Sequence, residues 1–322
     1  MKFNTPVELP ESPLQITPQS HVLLTGSCFT EHIGHRLGES LPTPQTFVNP
    51  NGILYNPGSI YNSIIDLMSP CYDFSKPLAF EASDGLWHHW HYSTLFSAPS
   101  REALERRLKE QWEKAHQVFN RLDVLLITFS TDHAYCLNAG PLEGTIVANC
   151  HKQPGRMFNE TILDPDNLKE MWDMLLSQLK RSHPHLKIVF TLSPYRYYKY
   201  GMHENALSKA RLLLLIDHLC RTHEQVCYFP AYEIVTDELR DYRFYAPDML
   251  HPTEQAADYV WERFCDWAFT NEMKIYACER QTLLRDLNHR PLNPDSAEFL
   301  RFQSKVEERR RLFEKKWNEK WT

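Results

Sequence analysis

Hydrophobic positions along the chain fall into two alternating patterns. Four short runs, residues 21–25 (HVLLT), 123–129 (DVLLITF), 186–192 (LKIVFTL) and 226–229 (VCYF), are apolar at successive positions and end in turn or polar residues. Strands that are apolar on both faces belong to a sheet covered on both sides, as parallel sheets in α/β proteins are. Between and after these runs, residues 29–41, 101–120, 167–182, 205–223 and 253–269 carry apolar residues at helical spacing. The alternation predicts an α/β protein with a doubly wound, three-layer α/β/α fold.

Two stretches break the rhythm. Residues 73–97 are rich in aromatic and turn residues, and residues 133–158 carry Gly140, Gly144 and Gly155 with prolines nearby. Both read as insertions that overhang the sheet as hairpins. From Pro294 onward the chain reads as a charged helix. Its apolar positions Phe299, Phe302, Val306 and Phe313 are available to lie against the body, while its charge pattern first suggests a solvated face. No internal repeat or low-complexity linker is evident, so the expected organisation is one domain over 1–270 with a C-terminal helical extension over 271–322 packed on it.

Composition narrows the function classes. Thirty-five lysines and arginines stand against 41 acidic residues, a net charge of -6 with both signs scattered, so no basic field suits a phosphate backbone and nucleic acid is not an expected partner. No apolar run approaches the roughly 20 residues a membrane span needs, and no apolar segment follows the amino-terminal lysine, so neither a membrane nor a standard secretory signal is expected. Eight dispersed cysteines without CxxC pairs fit a reducing, cytoplasmic setting.

The residues that carry chemistry lie near opposite ends of the chain. The first strand runs into Gly26-Ser27-Cys28-Phe29, followed by a helix. A strand-to-helix junction puts Ser27 at the carboxyl edge of a parallel sheet, where open α/β folds bind ligands, and aims the first helical N–H groups at any anion formed beside it. Taken alone, Ser27 reads first as a helix N-cap. Near the other end, Tyr245-Ala246-Pro247-Asp248-Met249-Leu250-His251-Pro252-Thr253 leads into a helix. Three-residue spacing on a loop lets the Asp248 carboxylate fix the tautomer of His251 while the other ring nitrogen faces a nucleophile. Alone, this segment reads equally as a turn with an N-cap.

The two segments together resemble the SGNH or GDSL-type hydrolases, whose nucleophile follows the first strand and whose Asp-x-x-His precedes the last helix. More narrowly, Gly26-Ser27-Cys28-Phe29 is similar to the signature of the GSCFA-domain family. Further pieces fit in order: Asn49-Pro50-Asn51-Gly52-Ile53-Leu54-Tyr55-Asn56-Pro57, Ala148-Asn149-Cys150-His151-Lys152, Leu192-Ser193-Pro194, Ser208-Lys209-Ala210 and Tyr228-Phe229-Pro230-Ala231-Tyr232-Glu233. The resemblance implies a flavodoxin-like, SGNH-type sheet and ester or acyl chemistry without a cofactor. It assigns Ser27 as nucleophile, His251 as general base and then acid, and Asp248 as the residue orienting it. The oxyanion donors it implies are the N–H groups of Cys28 and Gly52 and a polar side chain after the third strand. There the chain departs from the pattern, reading Phe129-Ser130-Thr131-Asp132-His133, and His133 or Asn149 can substitute as donor. The expected substrate is an acyl ester, most simply an acetyl ester, of a carbohydrate or small metabolite. An acyltransferase using the same triad and a non-catalytic binding protein are the alternatives.

Other groupings lead elsewhere. Cys28 offers a thiol at a helix N-terminus, but as Ser27's neighbour it should point away from the site. Trp87-His88-His89-Trp90-His91 offers at most two ligands on one strand face, so an aromatic hairpin shaping the pocket mouth is expected in place of a metal site. Cys150 and His151 project to opposite faces of an extended segment, which leaves His151 and Lys152 as pocket-lining candidates. Phosphate-binding glycine loops and the GxSxG elbow are absent.

Overall fold

The computed structural model describes residues 5–42, 45–73, 77–289 and 296–321. Along the chain run β1 (Val22–Gly26), α1 (Cys28–Ser40), β2 (Thr46–Val48), α2 (Pro57–Met68), β3 (Ala79–Glu81), β4 (Trp87–His89), α3 (Arg101–Phe119), β5 (Val124–Phe129), β6 (His133–Leu137), β7 (Phe158–Ile162), α4 (Pro165–Ser182), β8 (Lys187–Leu192), α5 (Gly201–Thr222), β9 (Val226–Tyr228), the short α6 (Ala231–Glu233), α7 (Glu254–Ala268), α8 (Asn271–Leu287) and α9 (Ala297–Trp321). Five strands form one parallel sheet in the order β2-β1-β5-β8-β9. Numbered within the sheet alone this is the order 2-1-3-4-5, the flavodoxin-like winding that the sequence resemblance implies.

The side-chain period of two splits the sheet residues between two cores. Leu23, Leu125, Ile127, Phe129, Ile188, Phe190 and Leu192 face a layer contributed by α2, α3, α4 and α5, with Trp172 of α4 wholly buried among them. Val22, Leu24, Val124, Leu126 and Val189 face α1, α7, α8 and α9. Each fully buried aliphatic or aromatic side chain contributes about 1.5–3 kcal/mol, so the sheet is held from both sides. Helix caps fix where the helices start: Asn56, Ser100, Asp164, Thr253 and Thr270 each accept a backbone N–H of the first turn.

Both irregular stretches form antiparallel hairpins, β3 with β4 and β6 with β7. The tail departs from the solvated reading. Val306 and Trp317 are buried, and Trp317 and Phe313 pack on Tyr276 of α8, with the Trp317 Nε1–H donating to Glu279 at 2.9 Å. Pro294, where the charged tail begins in sequence, lies outside the described residues. Among the described residues no helix is long and apolar enough to cross a membrane.

Candidate active site

The junction between β1 and α1 sits at the switch point of the sheet, with β2 on one side of β1 and β5 on the other. Gly26 has φ +145°, and a Cβ there would lie 2.4 Å from the Thr128 carbonyl oxygen, so only glycine fits. Its N–H donates to Asn49 Oδ1 at 2.9 Å and its carbonyl accepts from the Leu54 N–H at 2.9 Å. Asn49 itself is buried and holds φ +48°. The loop after β2 thus clasps the turn that carries Ser27.

Ser27 occupies the N-cap position of α1 with φ -71° and ψ 178°, yet its side chain makes no capping bond. It is fully buried, and Oγ has no hydrogen-bond partner. A buried hydroxyl left unpaired typically costs about 1–3 kcal/mol, so its being left unpaired calls for an explanation. The hydroxyl is therefore not spent on capping, in contrast to the simplest reading of the sequence. The neighbouring Cys28 thiol is pushed above its ordinary value, chiefly by burial, and is neutral at pH 7.

The second half of the candidate site is a tight loop between the 3-10 turn Tyr242–Phe244 and α7. Tyr245 and Pro252 bridge across it, the Ala246 N–H donates to the His251 carbonyl at 2.7 Å, and Met249 takes φ +59°. Asp248 Oδ1 accepts the N–H groups of Leu250 at 2.9 Å and His251 at 3.0 Å, while Oδ2 lies 2.5 Å from His251 Nδ1. The backbone N–H of His251, its ring and the Leu250 N–H hold the Asp248 carboxyl down at about 2. With Nδ1 committed to the carboxylate, Nε2 is the nitrogen left for chemistry. The helix cap is Thr253, so neither Asp248 nor His251 is consumed in capping α7.

The loop between β8 and α5 packs on the second half. The Tyr195 ring packs on His251 at 4.3 Å between centroids, and the Arg196 N–H donates to the Leu250 carbonyl at 3.1 Å. The Tyr195 hydroxyl is pushed up by burial first and then by the Asp248 carboxylate. The structure brings Asp248 and His251 into contact; no hydrogen bond joins His251 to Ser27. Both loop residues are about half exposed, whereas Ser27 is covered.

The proposed oxyanion donors fare unequally. Cys28 opens a 13-residue helix, so its N–H has no intrahelical acceptor and sits at the positive end of the dipole, while the Thr30 N–H donates to the Ser27 carbonyl at 2.9 Å. Gly52 instead donates its N–H to the Asn49 carbonyl at 2.9 Å, closing the turn after β2. His133 is drawn toward α5: its ring stacks on Tyr200 at 4.2 Å, and Nε2 lies 3.7 Å from Glu204 and 3.9 Å from Asp132. Both carboxylates are also paired with Arg211. Asn149 Oδ1 accepts the His151 N–H at 2.8 Å and the Thr94 hydroxyl at 3.2 Å, inside the aromatic insertion. None of these three makes a hydrogen bond to Ser27.

That insertion walls one side of the loop holding Gly26. The Ser93 N–H donates to the Asn51 carbonyl and the Asn51 side chain donates to the His91 carbonyl. Phe80 stacks on Trp90 at 3.8 Å, and His151 packs edge-on to both. Burial, then the neighbouring His88, pushes His151 down to about 4, so it is neutral at pH 7. His88 Nδ1 lies 2.7 Å from Ser97 Oγ and His91 Nδ1 lies 3.6 Å from Asp66 Oδ2. Among the described residues no group of three or more His, Cys, Asp or Glu side chains could hold a metal ion.

Sequence reasoning gave Asn49 no role, although it lies in one of the matching segments, and did not single out Tyr195. Both sit in conspicuous runs, Asn49-Pro50-Asn51-Gly52 and the tyrosines at 195, 197, 198 and 200, but their roles arise only from the tertiary pairings described above.

A family model described as the GSCFA family matches residues 21–264. No curated protein matches the chain. Among solved structures, a Streptococcus pneumonia protein whose name refers to platelet activating factor superposes with a TM-score of 0.38 at 11% identity, over 76% of this chain and 83% of that one. CetZ from Methanosaeta thermophila strain DSM 6194 superposes with a TM-score of 0.28 at 9% identity, over 85% of this chain and 57% of that one.

Proposed function

The chain belongs to the GSCFA family, and from that premise and the geometry of the site we propose that it is a serine hydrolase acting on acyl esters. The observation that carries the reading is the Asp248–His251 pair, which leaves Nε2 free at the same sheet edge as an uncommitted, buried Ser27 hydroxyl.

In the proposed reaction His251 Nε2 accepts the Ser27 hydroxyl proton as Oγ bonds to the ester carbonyl carbon, and Asp248 stabilises the imidazolium. The negative charge on the former carbonyl oxygen falls at the start of α1, where the Cys28 N–H and the helix dipole stabilise it. Collapse breaks the bond to the leaving alkoxide, which takes the proton from His251. Water then repeats the sequence on the acyl-serine, releasing the acid and restoring Ser27. An acetyl ester of a carbohydrate is the substrate we favour, because Tyr195 beside His251, with Tyr197 packed on it, offers rings that combine an apolar face with a polar tip.

A second reading, a non-catalytic binder of such esters, is favoured by one observation: His133 and Asn149 are engaged elsewhere, which leaves the helix start as the oxyanion donor. Acetate release from 4-nitrophenyl acetate and acetylated xylose decides between the two. The hydrolase reading expects release by the native protein and its loss in Ser27→Ala and His251→Ala. Equal release by all three proteins would refute it. Transfer of the acetyl group to added alcohol in preference to water would identify an acyltransferase.

A further inference from the structure

Beneath the site lies a buried cation that the proposed reaction does not use. Lys209 of α5 is 2% exposed, and among the described residues its Nζ has no carboxylate partner. It donates instead to two backbone carbonyls, Ser130 at 2.6 Å and Ser193 at 2.8 Å, the residues that directly follow β5 and β8. The neighbouring Ser208 hydroxyl accepts the Asp132 N–H at 3.1 Å, so one turn of α5 holds both strand ends. Burial lowers the ammonium to about 7, opposed by Cys28 and Asp132, and the Tyr232 ring lies 5.9 Å away. A charge this deeply buried is expensive to keep, and perturbed groups of this kind concentrate at functional sites.

What the two carbonyls lead to is informative. The Ser130 N–H donates to the Tyr55 carbonyl at 2.9 Å, in the same loop whose Leu54 N–H holds Gly26 beside Ser27. From Ser193 the chain reaches, two residues on, the Tyr195 ring that packs on His251. The Tyr195 N–H lies 3.4 Å from Ser193 Oγ, and the Arg196 N–H holds Leu250. One ammonium therefore touches both the nucleophile side and the base side through two short backbone paths.

We propose that Lys209 is a positioning residue of the Ser27 site: by tying the ends of β5 and β8 together it sets the placement of His251, through Tyr195, relative to the turn that carries Ser27. The proposal rests on the serine-hydrolase reading for its kinetic consequence, but its geometric consequence, the Tyr195–His251 packing, stands apart from it.

The test uses two readouts on the full chain. The first is inactivation by a fluorophosphonate, resolved into a maximal rate constant and a half-saturating concentration. Lys209→Met keeps the side-chain length and removes the charge and the donors. It is expected to lower the maximal rate by about 10- to 100-fold, the penalty typical of a small misplacement, with the half-saturating concentration unchanged; Lys209→Arg should recover part of the loss. The second readout is the His251 ring-proton resonance, assigned with His251→Ala, which carries the ring-current shift of Tyr195 and is expected to move in Lys209→Met. Native inactivation kinetics or an unmoved His251 resonance would overturn the proposal. So would a lowered maximal rate with a raised half-saturating concentration, accompanied by loss of the near-ultraviolet circular dichroism, since that is a merely structural role. Should Lys209→Met not fold, Lys209→Gln, which keeps two N–H donors, is put through the same measurements with the same criteria. If the native protein takes up no fluorophosphonate at Ser27, the hydrolase reading falls, and the His251 resonance alone decides for or against Lys209.

Discussion

Replacing Gly26 by alanine tests the architecture of the nucleophile turn at a point where the structure supplies the magnitude. The added Cβ would meet the Thr128 carbonyl oxygen at 2.4 Å, Thr30 Oγ1 at 2.9 Å and the Thr128 carbonyl carbon at 3.0 Å, two of the three being backbone of the paired strand. Backbone cannot swing aside as a side-chain tip can, so β1 and β5 must separate locally. Overpacking of this kind costs about 1–3 kcal/mol and holding a residue other than glycine at φ +145° adds about 1–3 kcal/mol. A total of about 2–6 kcal/mol corresponds to a fall in Tm of roughly 3–9 °C for a chain of this size. Gly38, in α1 just after this turn, is the internal control. It has nothing within 4 Å of a built Cβ and no positive φ, so Gly38→Ala should stabilise by about 0.5–1 kcal/mol. Urea denaturation of both variants followed by tryptophan fluorescence reads the difference. Equal midpoints for Gly26→Ala and the native protein would refute the claim that this turn requires glycine.

Asp248→Asn should keep the loop folded but lower kcat/KM for ester hydrolysis by roughly 10²–10⁴, because the carboxamide no longer enforces the tautomer with Nε2 free; an unchanged value measured against acetate release would remove Asp248 from the reaction. His151 supplies a pH signature of stability. Its folded value of about 4 lies below that of the unfolded chain, so the unfolded state binds the proton first, and stability is lost as pH falls from about 6.5 toward 4 and no further below that. His151→Gln should remove about 2 kcal/mol of the native protein's loss at pH 5, read as the difference between the two urea denaturation profiles; parallel profiles would show that His151 is not neutral in the fold. Trp317→Ala empties a buried site between Tyr276 and Phe313 and should cost about 3–5 kcal/mol, seen as a lowered Tm; no shift would mean that α9 does not rest on the body.

Much of this fold could be read directly because its strands are apolar on both faces. The runs at 21–25, 123–129, 186–192 and 226–229 became β1, β5, β8 and β9 within a residue or two. The edge strand β2 has three residues, all half-buried, too short for either period to register. The packing of the C-terminal extension was expected, but its deepest anchor was not legible: α9 is charged along most of its length, and Trp317 stands among Lys315, Lys316 and Glu319 with no local pattern to mark it. At the site, Asp248 and His251 were legible since three residues on one loop suffice to bring them together, and Ser27 since a strand–helix junction has a defined place on the sheet. Partnerships across long stretches of sequence were not legible. Asn49 reaches Gly26 across 23 positions and Lys209 reaches Ser130 across 79, and only the winding of the sheet makes these neighbours. The same winding diverted His133, whose ring answers to Glu204 and Tyr200 on the far side of a loop that reads in sequence as a donor to the nucleophile.

The central claim is that Ser27 is an activated nucleophile served by His251. Its most direct test is intact-protein mass spectrometry after exposure to a fluorophosphonate, with the adduct mapped by peptide sequencing, on the native protein, Ser27→Ala and His251→Ala. The account predicts a single adduct on Ser27 of the native protein and none on either variant; a folded native protein that takes up no reagent, or one modified at another residue while Ser27 stays free, would contradict it.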